Sequence, residues 1–239
     1  MTAKSIKGAI VLCSADSQAS SRWQRRKEAR PEEILDAALQ LFTEKGFSAT
    51  RMMDVAKAAG ISKGTLYLYF SNKEAIFKEV VQQRITPQLD TVESLVNEFE
   101  GNQADLLKHL INGWWMGVAC SSLSAIPKII TAESGNFPDL AKYFTRNVVT
   151  RSRHLFSRVV RRGIEAGEFR EYDAETVARL VVAPLVQATI WMHSLKAYDD
   201  EEGTQSYLQL HTEFILNALV KDSYKPKMNK TKIKLELPE

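Results

Sequence analysis

Apolar residues recur at helical spacing along most of this chain, and no stretch of useful length alternates apolar with polar as a half-buried strand would. Ile34, Leu35, Ala38, Leu41 and Phe42 place one apolar face on a helix that the pattern starts at Pro31. A proline suits a first helical position, and Glu32 and Glu33 suit the positive end of the helix dipole. Gly46 stops this helix, with Phe47 behind it able to fold back on the last turn. Thr50 predicts the cap of a second short helix and Ser62 that of a third, while Ser71 with Glu74 forms a capping box opening a fourth. The fourth continues to about residue 99, kinked at Pro87. Beyond the break at Glu100-Gly101-Asn102, Leu106, Leu110, Trp114, Trp115 and Val118 mark another helix. Pro127 and the loop Ser134-Gly135-Asn136-Phe137-Pro138 interrupt the chain after it. A long helix from about 138 to 166 carries Leu140, Phe144, Leu155, Val159 and Ile164 on one side, and Gly167 ends it. Asp173 caps the next, which runs to about 198 with a kink at Pro184, and the last covers roughly 205–220.

The pattern therefore predicts an all-α protein. A compact three-helix head with its connector occupies 31–80, and a larger helical body occupies 81–220. They lie between a disordered basic arm at 1–30 and a lysine-rich, disordered tail at 221–239. Lys4 and Lys7 before Ala9-Ile10-Val11-Leu12 give a faint signal-peptide look, but the apolar run is too short and no clean cleavage site comes after it. No run approaches the length of a membrane helix. The two cysteines, Cys13 and Cys120, make no disulfide framework, and the four histidines have no metal-ligand spacing. No metal or cofactor is expected, and a reducing cytoplasm fits.

Charge adds an asymmetry that the net value of +3 hides. Residues 1–80 carry 13 Lys and Arg against 9 Asp and Glu, whereas residues 81–220 carry 13 against 17. A basic head on a slightly acidic body suits a protein whose first part meets phosphates, although chance asymmetry gives the same count.

The head has the parts of a helix-turn-helix. Ala56 is the small residue where two helices cross, Gly60 the flexible turn, and Leu66 the apolar lock on the second helix. That second helix must place its N-terminal half in a major groove. Ser62 turns its hydroxyl to the helix start and leaves backbone N–H groups to face phosphate. Lys63 reaches toward a phosphate or a guanine edge, Gly64 removes the side chain at closest approach, and Thr65 offers a hydroxyl or a methyl. Leu66 and Phe70 face inward, while Tyr67 and Tyr69 present hydroxyls to the DNA backbone. Lys73, in the first turn of the fourth helix, and Thr50 with Arg51 at the second are placed to hold phosphates. Arg22, Arg25, Arg26, Lys27 and Arg30 either reach an adjacent minor groove or remain solvated.

The run from Gly46 to Phe70, and above all Asp54-Val55-Ala56, Ala59-Gly60-Ile61-Ser62 and Gly64-Thr65-Leu66-Tyr67, resembles the DNA-binding domain of TetR-family regulators. That family shows T-x-x-x-D-I-A-x-x-A-G-V-S-x-G-T-L-Y-x-H-F. The resemblance implies DNA contacts by Thr50, Ser62, Lys63, Gly64, Thr65, Tyr67, Tyr69 and Lys73. Tyr69 departs from the usual histidine and loses any imidazolium charge. Further on, Ala132-Glu133-Ser134 with Phe137-Pro138-Asp139-Leu140-Ala141, and Gly163 to Phe169, look like regulatory segments of the AcrR/AefR-like branch. Regulators of this type pair through their last two helices, here about 173–198 and 205–220, and hold a ligand inside the others. The resemblance thus implies a homodimer on a palindromic stretch of double-stranded DNA.

Large or adaptable side chains that could line an apolar effector pocket are Trp114, Trp115, Met116, Cys120, Phe144 and Trp191. The same residues would also serve as plain core. The function expected is a cytoplasmic transcriptional repressor released by a small molecule. The alternative is a DNA-binding regulator controlled by a protein partner or by no ligand. An enzyme finds no support in paired carboxylates, a metal spacing, a nucleophile elbow or a phosphate loop.

Overall fold

The computed structural model describes residues 20–196 and 204–222. Of the stretches expected to be disordered, 1–30 and 221–239, residues 1–19 and 223–239 lie outside the described residues, whereas 20–30 are helical and extend the first helix toward the N-terminus. The helices are α1 (Ser20–Lys45), α2 (Met52–Ala58), α3 (Lys63–Tyr69), α4 (Lys73–Val80), α5 (Thr86–Glu98), α6 (Gln103–Trp114), α7 (Ile126–Glu133), α8 (Pro138–Phe144), α9 (Thr150–Glu165), α10 (Ala174–Met192) and α11 (Thr204–Leu219). Among the described residues, β structure is limited to an isolated bridge between Phe169 and Val220. The fold class is the all-α one that the apolar spacing predicts.

Several helix ends obey the sequence signals. Gly46 and Gly167 take the left-handed conformation, φ +84° and +74°, just past α1 and α9, which few other residues adopt without strain. Ser62 and Asp173 accept from the backbone N–H groups of Thr65 and Thr176 and cap α3 and α10. Other ends differ. Helix α1 begins at Ser20, so Pro31 lies within it. Asn72 caps α4 by accepting from the Ala75 N–H at 2.8 Å, in place of Ser71. Thr50 is not a cap: its buried hydroxyl donates to the carbonyls of Leu41 (3.3 Å) and Gly46 (2.7 Å), and Arg51 stands at the N-cap of α2.

Three single wide turns, Val81–Ile85, Trp115–Ala119 and Thr145–Val149, interrupt helices that the sequence reads as continuous, the first of them with a kink at Pro87. The first joins α4 to α5. Pro87 then falls in the first turn of α5, where its lack of an N–H matters least, so the irregularity sits just before the proline. Pro127 likewise opens α7, a helix where the sequence pattern signals only an interruption. Pro184 lies inside α10 as expected.

Two apolar clusters hold the molecule together. One joins α1–α4 to α7 and α8 through Ile34, Phe42, Phe47, Leu66, Phe77 and Phe144, so the head shares its core with part of the body. The other packs α5, α6, α9, α10 and α11 around Leu106, Ile111, Val159, Phe169, Val181 and Leu185. Phe169 is completely buried and lies on Gly163. A Cβ at Gly163 would stand 2.2 Å from the Phe169 ring, so close approach of the chain requires glycine here. The backbone beside Phe169 fastens α11: Arg170 N donates to Leu219 O (2.7 Å) and Lys221 N to Glu168 O (3.0 Å).

Candidate nucleic-acid interface and a cavity in the body

Helices α2 and α3 meet across a turn at Gly60, φ +65°, with Ala56 and Leu66 buried at the crossing. Leu66 is the buried residue of α3, and Phe70 closes the helix against the core. The other face points to solvent. Lys63, Gly64, Tyr67, Leu68 and Tyr69 are all exposed, with Lys63 Nζ 5.7 Å from the Tyr67 ring centroid. Ser62 Oγ accepts from Thr65 N (3.1 Å) and pairs with the Thr65 hydroxyl (2.8 Å). A Cβ at Gly64 would meet only Ser62 Oγ, at 3.8 Å. Among the described residues, nothing packs against position 64 closely enough to require glycine there. Arg51 is exposed at the start of α2, its N–H donating to Asp54 Oδ2 at 3.2 Å.

Two residues expected to hold phosphates are engaged elsewhere. Thr50 is 2 % exposed and its hydroxyl is used within the loop, so its side chain has no reach outward. Lys73 turns its ammonium inward and donates to the carbonyls of Phe47 (2.7 Å), Ser48 (2.9 Å) and Thr50 (3.3 Å). It also lies over the rings of Phe47 and Phe137. Burial lowers its pKa, against the opposing pull of Glu133 and Glu74. Lys73 is thus a clasp that gathers the α1–α2 loop. Conversely, sequence reasoning passes over Leu68. It is 85 % exposed, out of phase with Leu66 and Phe70, and suited to contact with a thymine methyl. Its phase on the helix is the signal that could have found it.

The clasp continues into the body. Glu133, the last residue of α7, accepts from Ser48 N (3.0 Å), Ser48 Oγ (2.6 Å) and Asn136 Nδ2 (2.9 Å). Burial alone would raise the Glu133 carboxyl, but these hydrogen bonds and the Lys73 charge outweigh it and hold its pKa below the ordinary 4.5. A carboxyl lowered on folding adds stability above its unfolded value and loses it as pH falls through the folded one. Thermal melts of Glu133→Gln should therefore trail the wild type above about pH 4.5 and converge with it in stronger acid. A gap that persists unchanged into acid would mean that the Glu133 charge is not what holds Ser48.

Between α7, α9 and α10 lies a cavity of about 420 Å³, within the range that holds small organic ligands. Ile126, Ile130, Val148, Val182 and Val186 make much of its wall. Trp114 and Phe144 also line it, but four residues expected there do not. Trp115 is buried in the core beside it, while Met116, Cys120 and Trp191 are exposed. The wide turn at Trp115–Ala119 alters the helical phase after Trp114, which sequence spacing does not reveal. The polar lining, Thr131, Ser152, Arg153, Arg179 and Gln187, is absent from the sequence-based expectation. Among the described residues no group of His, Cys, Asp and Glu is arranged to hold a metal, and no helix is long and apolar enough to cross a membrane.

Comparison with known proteins places both halves. Residues 34–80 match the model of bacterial regulatory proteins of the tetR family. Residues 106–215 match that of the AefR-like transcriptional repressor C-terminal domain. The fatty acid metabolism regulator protein of Bacillus subtilis (strain 168) is 25% identical over 195 residues, 80% of this chain and 99% of that one. The transcriptional repressor KstR2 of Rhodococcus jostii (strain RHA1) is 28% identical over 193 residues, 77% of this chain and 90% of that one. FadR from Bacillus subtilis, solved in complex with stearoyl-CoA, superposes with a TM-score of 0.65. At 18% identity over 78% of this chain and 98% of that one, it shares the fold.

Proposed function

The chain belongs to the TetR family of bacterial regulatory proteins and is a transcriptional regulator; from that premise we propose that it is a repressor. It binds a palindromic operator as a homodimer in the cytoplasm and leaves it when a small apolar effector enters the body. The observation that carries the reading is the pairing of an outward-facing α3 with a cavity whose walls reach the head. Phe144 lines the cavity and meets Phe77 edge-on (centroids 6.4 Å apart), which in turn meets Phe47 edge-on at 5.8 Å. Helix α7 lines the same cavity through Ile126 and Ile130 and ends in Glu133, on which Ser48 hangs. An occupant that shifts α7 or Phe144 must strain these contacts. It changes DNA affinity only by its differential affinity for the two head positions. Control by a protein partner, with a body filled by side chains, is less favoured because the body has room inside.

Dimerisation supplies the second head that a palindrome requires. Support comes from α10 and α11, where the large apolar side chains Leu180 (60 %), Leu210 (54 %) and Phe214 (67 %) are exposed to solvent. Phe214→Glu should yield a monomer by sedimentation and weaken operator binding by about 100-fold, since one head makes only half the contacts. A variant that stays dimeric would move the interface elsewhere. The function as a whole is tested by titrating apolar compounds into the protein bound to a selected duplex. Release by a compound that protects the cavity from probes supports the reading. Occupation of the cavity without any change in DNA affinity contradicts it.

A further inference from the structure

We infer that Arg153 is the anion anchor of the cavity, and that the ligand is an apolar molecule carrying a single carboxylate or comparable acidic group. This rests on the reading of the body as an effector domain. Apart from Thr131 on α7, the polar groups of the cavity gather on α9 and α10 as Ser152, Arg153, Arg179 and Gln187. Arg153 Nε is shut off from solvent and has no hydrogen-bond acceptor. Its neighbour Glu175 stands 3.6 Å away, an ion-pair distance but too long for a hydrogen bond. The same carboxylate also serves Arg161, at 3.7 Å. One carboxylate thus faces two guanidiniums, and Arg179 adds a third in the cavity wall. That Nε is closed to any molecule in the cavity, so a ligand carboxylate at this wall is taken by the remaining nitrogens of Arg153 and by Arg179, with the apolar part lying against Ile126, Ile130 and Val182. A polyphosphate head fits less well. The arginines beyond Glu175 are already taken, Arg151 by Asp90 (2.6 Å) and Arg158 by Glu93 (3.6 Å).

The test is calorimetric binding of matched pairs, carboxylate against alcohol, on three scaffolds: a ten-carbon chain, a sterol skeleton and a biaryl. On any scaffold that binds, the wild type should prefer the carboxylate by roughly tenfold or more, the scale of a charge-assisted hydrogen bond. Arg153→Met, of similar length, should bring that ratio near one while leaving the alcohol's affinity within about threefold, and Arg153→Lys should keep part of it. The wild-type ratio stands as evidence even if a variant fails to fold. Equal binding of carboxylate and alcohol, or a ratio that survives Arg153→Met, would overturn the anchor and leave the effector cavity standing. A coenzyme A thioester that binds tighter than the free acid, independently of Arg153, would overturn it in favour of a polyphosphate head. Absence of binding on all three scaffolds by folded protein would remove the effector cavity and the anchor together.

Discussion

Replacing Lys63 and Tyr67 together by Ala is expected to reduce operator affinity by about 100-fold or more, without measurable loss of fold. Both side chains stand on the exposed face of α3, and the contact seen between them is the ammonium over the ring at 5.7 Å. Neither belongs to the apolar cluster that holds the head, whose share of α3 is Leu66. Their removal therefore takes away reach toward a groove rather than support of the helix. A lost contact to a base edge is worth about 1–3 kcal/mol, and a symmetric dimer loses each contact twice. Fluorescence anisotropy with a selected duplex reads the loss, and far-UV circular dichroism with a thermal melt checks the fold. Unchanged affinity would show that α3 is not the reading helix. The same substitution at Lys73 should behave differently, because its ammonium ties three loop carbonyls. There the melt should fall along with the affinity.

The largest effect on stability is expected from Phe169→Ala, about 3–5 kcal/mol. The ring is fully buried, and Gly163 leaves it a seat that no other residue could offer. Truncation would open a cavity in the cluster that joins α6, α9 and α10. It would also loosen the short bridge to Val220 that fastens the end of α11. If α10 and α11 form the dimer face, the variant should dissociate at lower dilution as well as melt earlier. Gly163→Ala, with only a methyl to accommodate, should cost about 1–3 kcal/mol for overpacking, partly offset by better helix propensity. A variant at Phe169 that melts like the wild type would mean the notch can close without it.

How much of this is legible in the sequence depends on whether the signal is local. The all-α class, the glycine stops at Gly46 and Gly167, and the caps at Ser62 and Asp173 are local, since each depends on a few neighbouring residues. Adjacent candidates defeat the reading at Ser71, because Asn72 offers an equally good side-chain acceptor one residue later. Thr50 and Lys73 escape it for a different reason. Their partners are backbone carbonyls of the folded α1–α2 loop, which no residue type announces. The cavity is the least legible part. Its lining comes from five separate helices and the turns between them, and the wide turns at Trp115–Ala119 and Thr145–Val149 shift the helical phase on which any such list depends. In the sequence Arg153 is one of six arginines between 146 and 162 with nothing local to single it out, and the packing of α10 beside it brings it to the cavity wall.

Selection of genomic fragments by the purified full chain at two salt concentrations decides whether this protein reads a symmetric DNA sequence. A palindrome with half-sites about one helical turn apart should be recovered, bound far more weakly at the higher salt because several phosphates are neutralised. Recovery of fragments with no common sequence, or of none at all from folded protein, would contradict that reading.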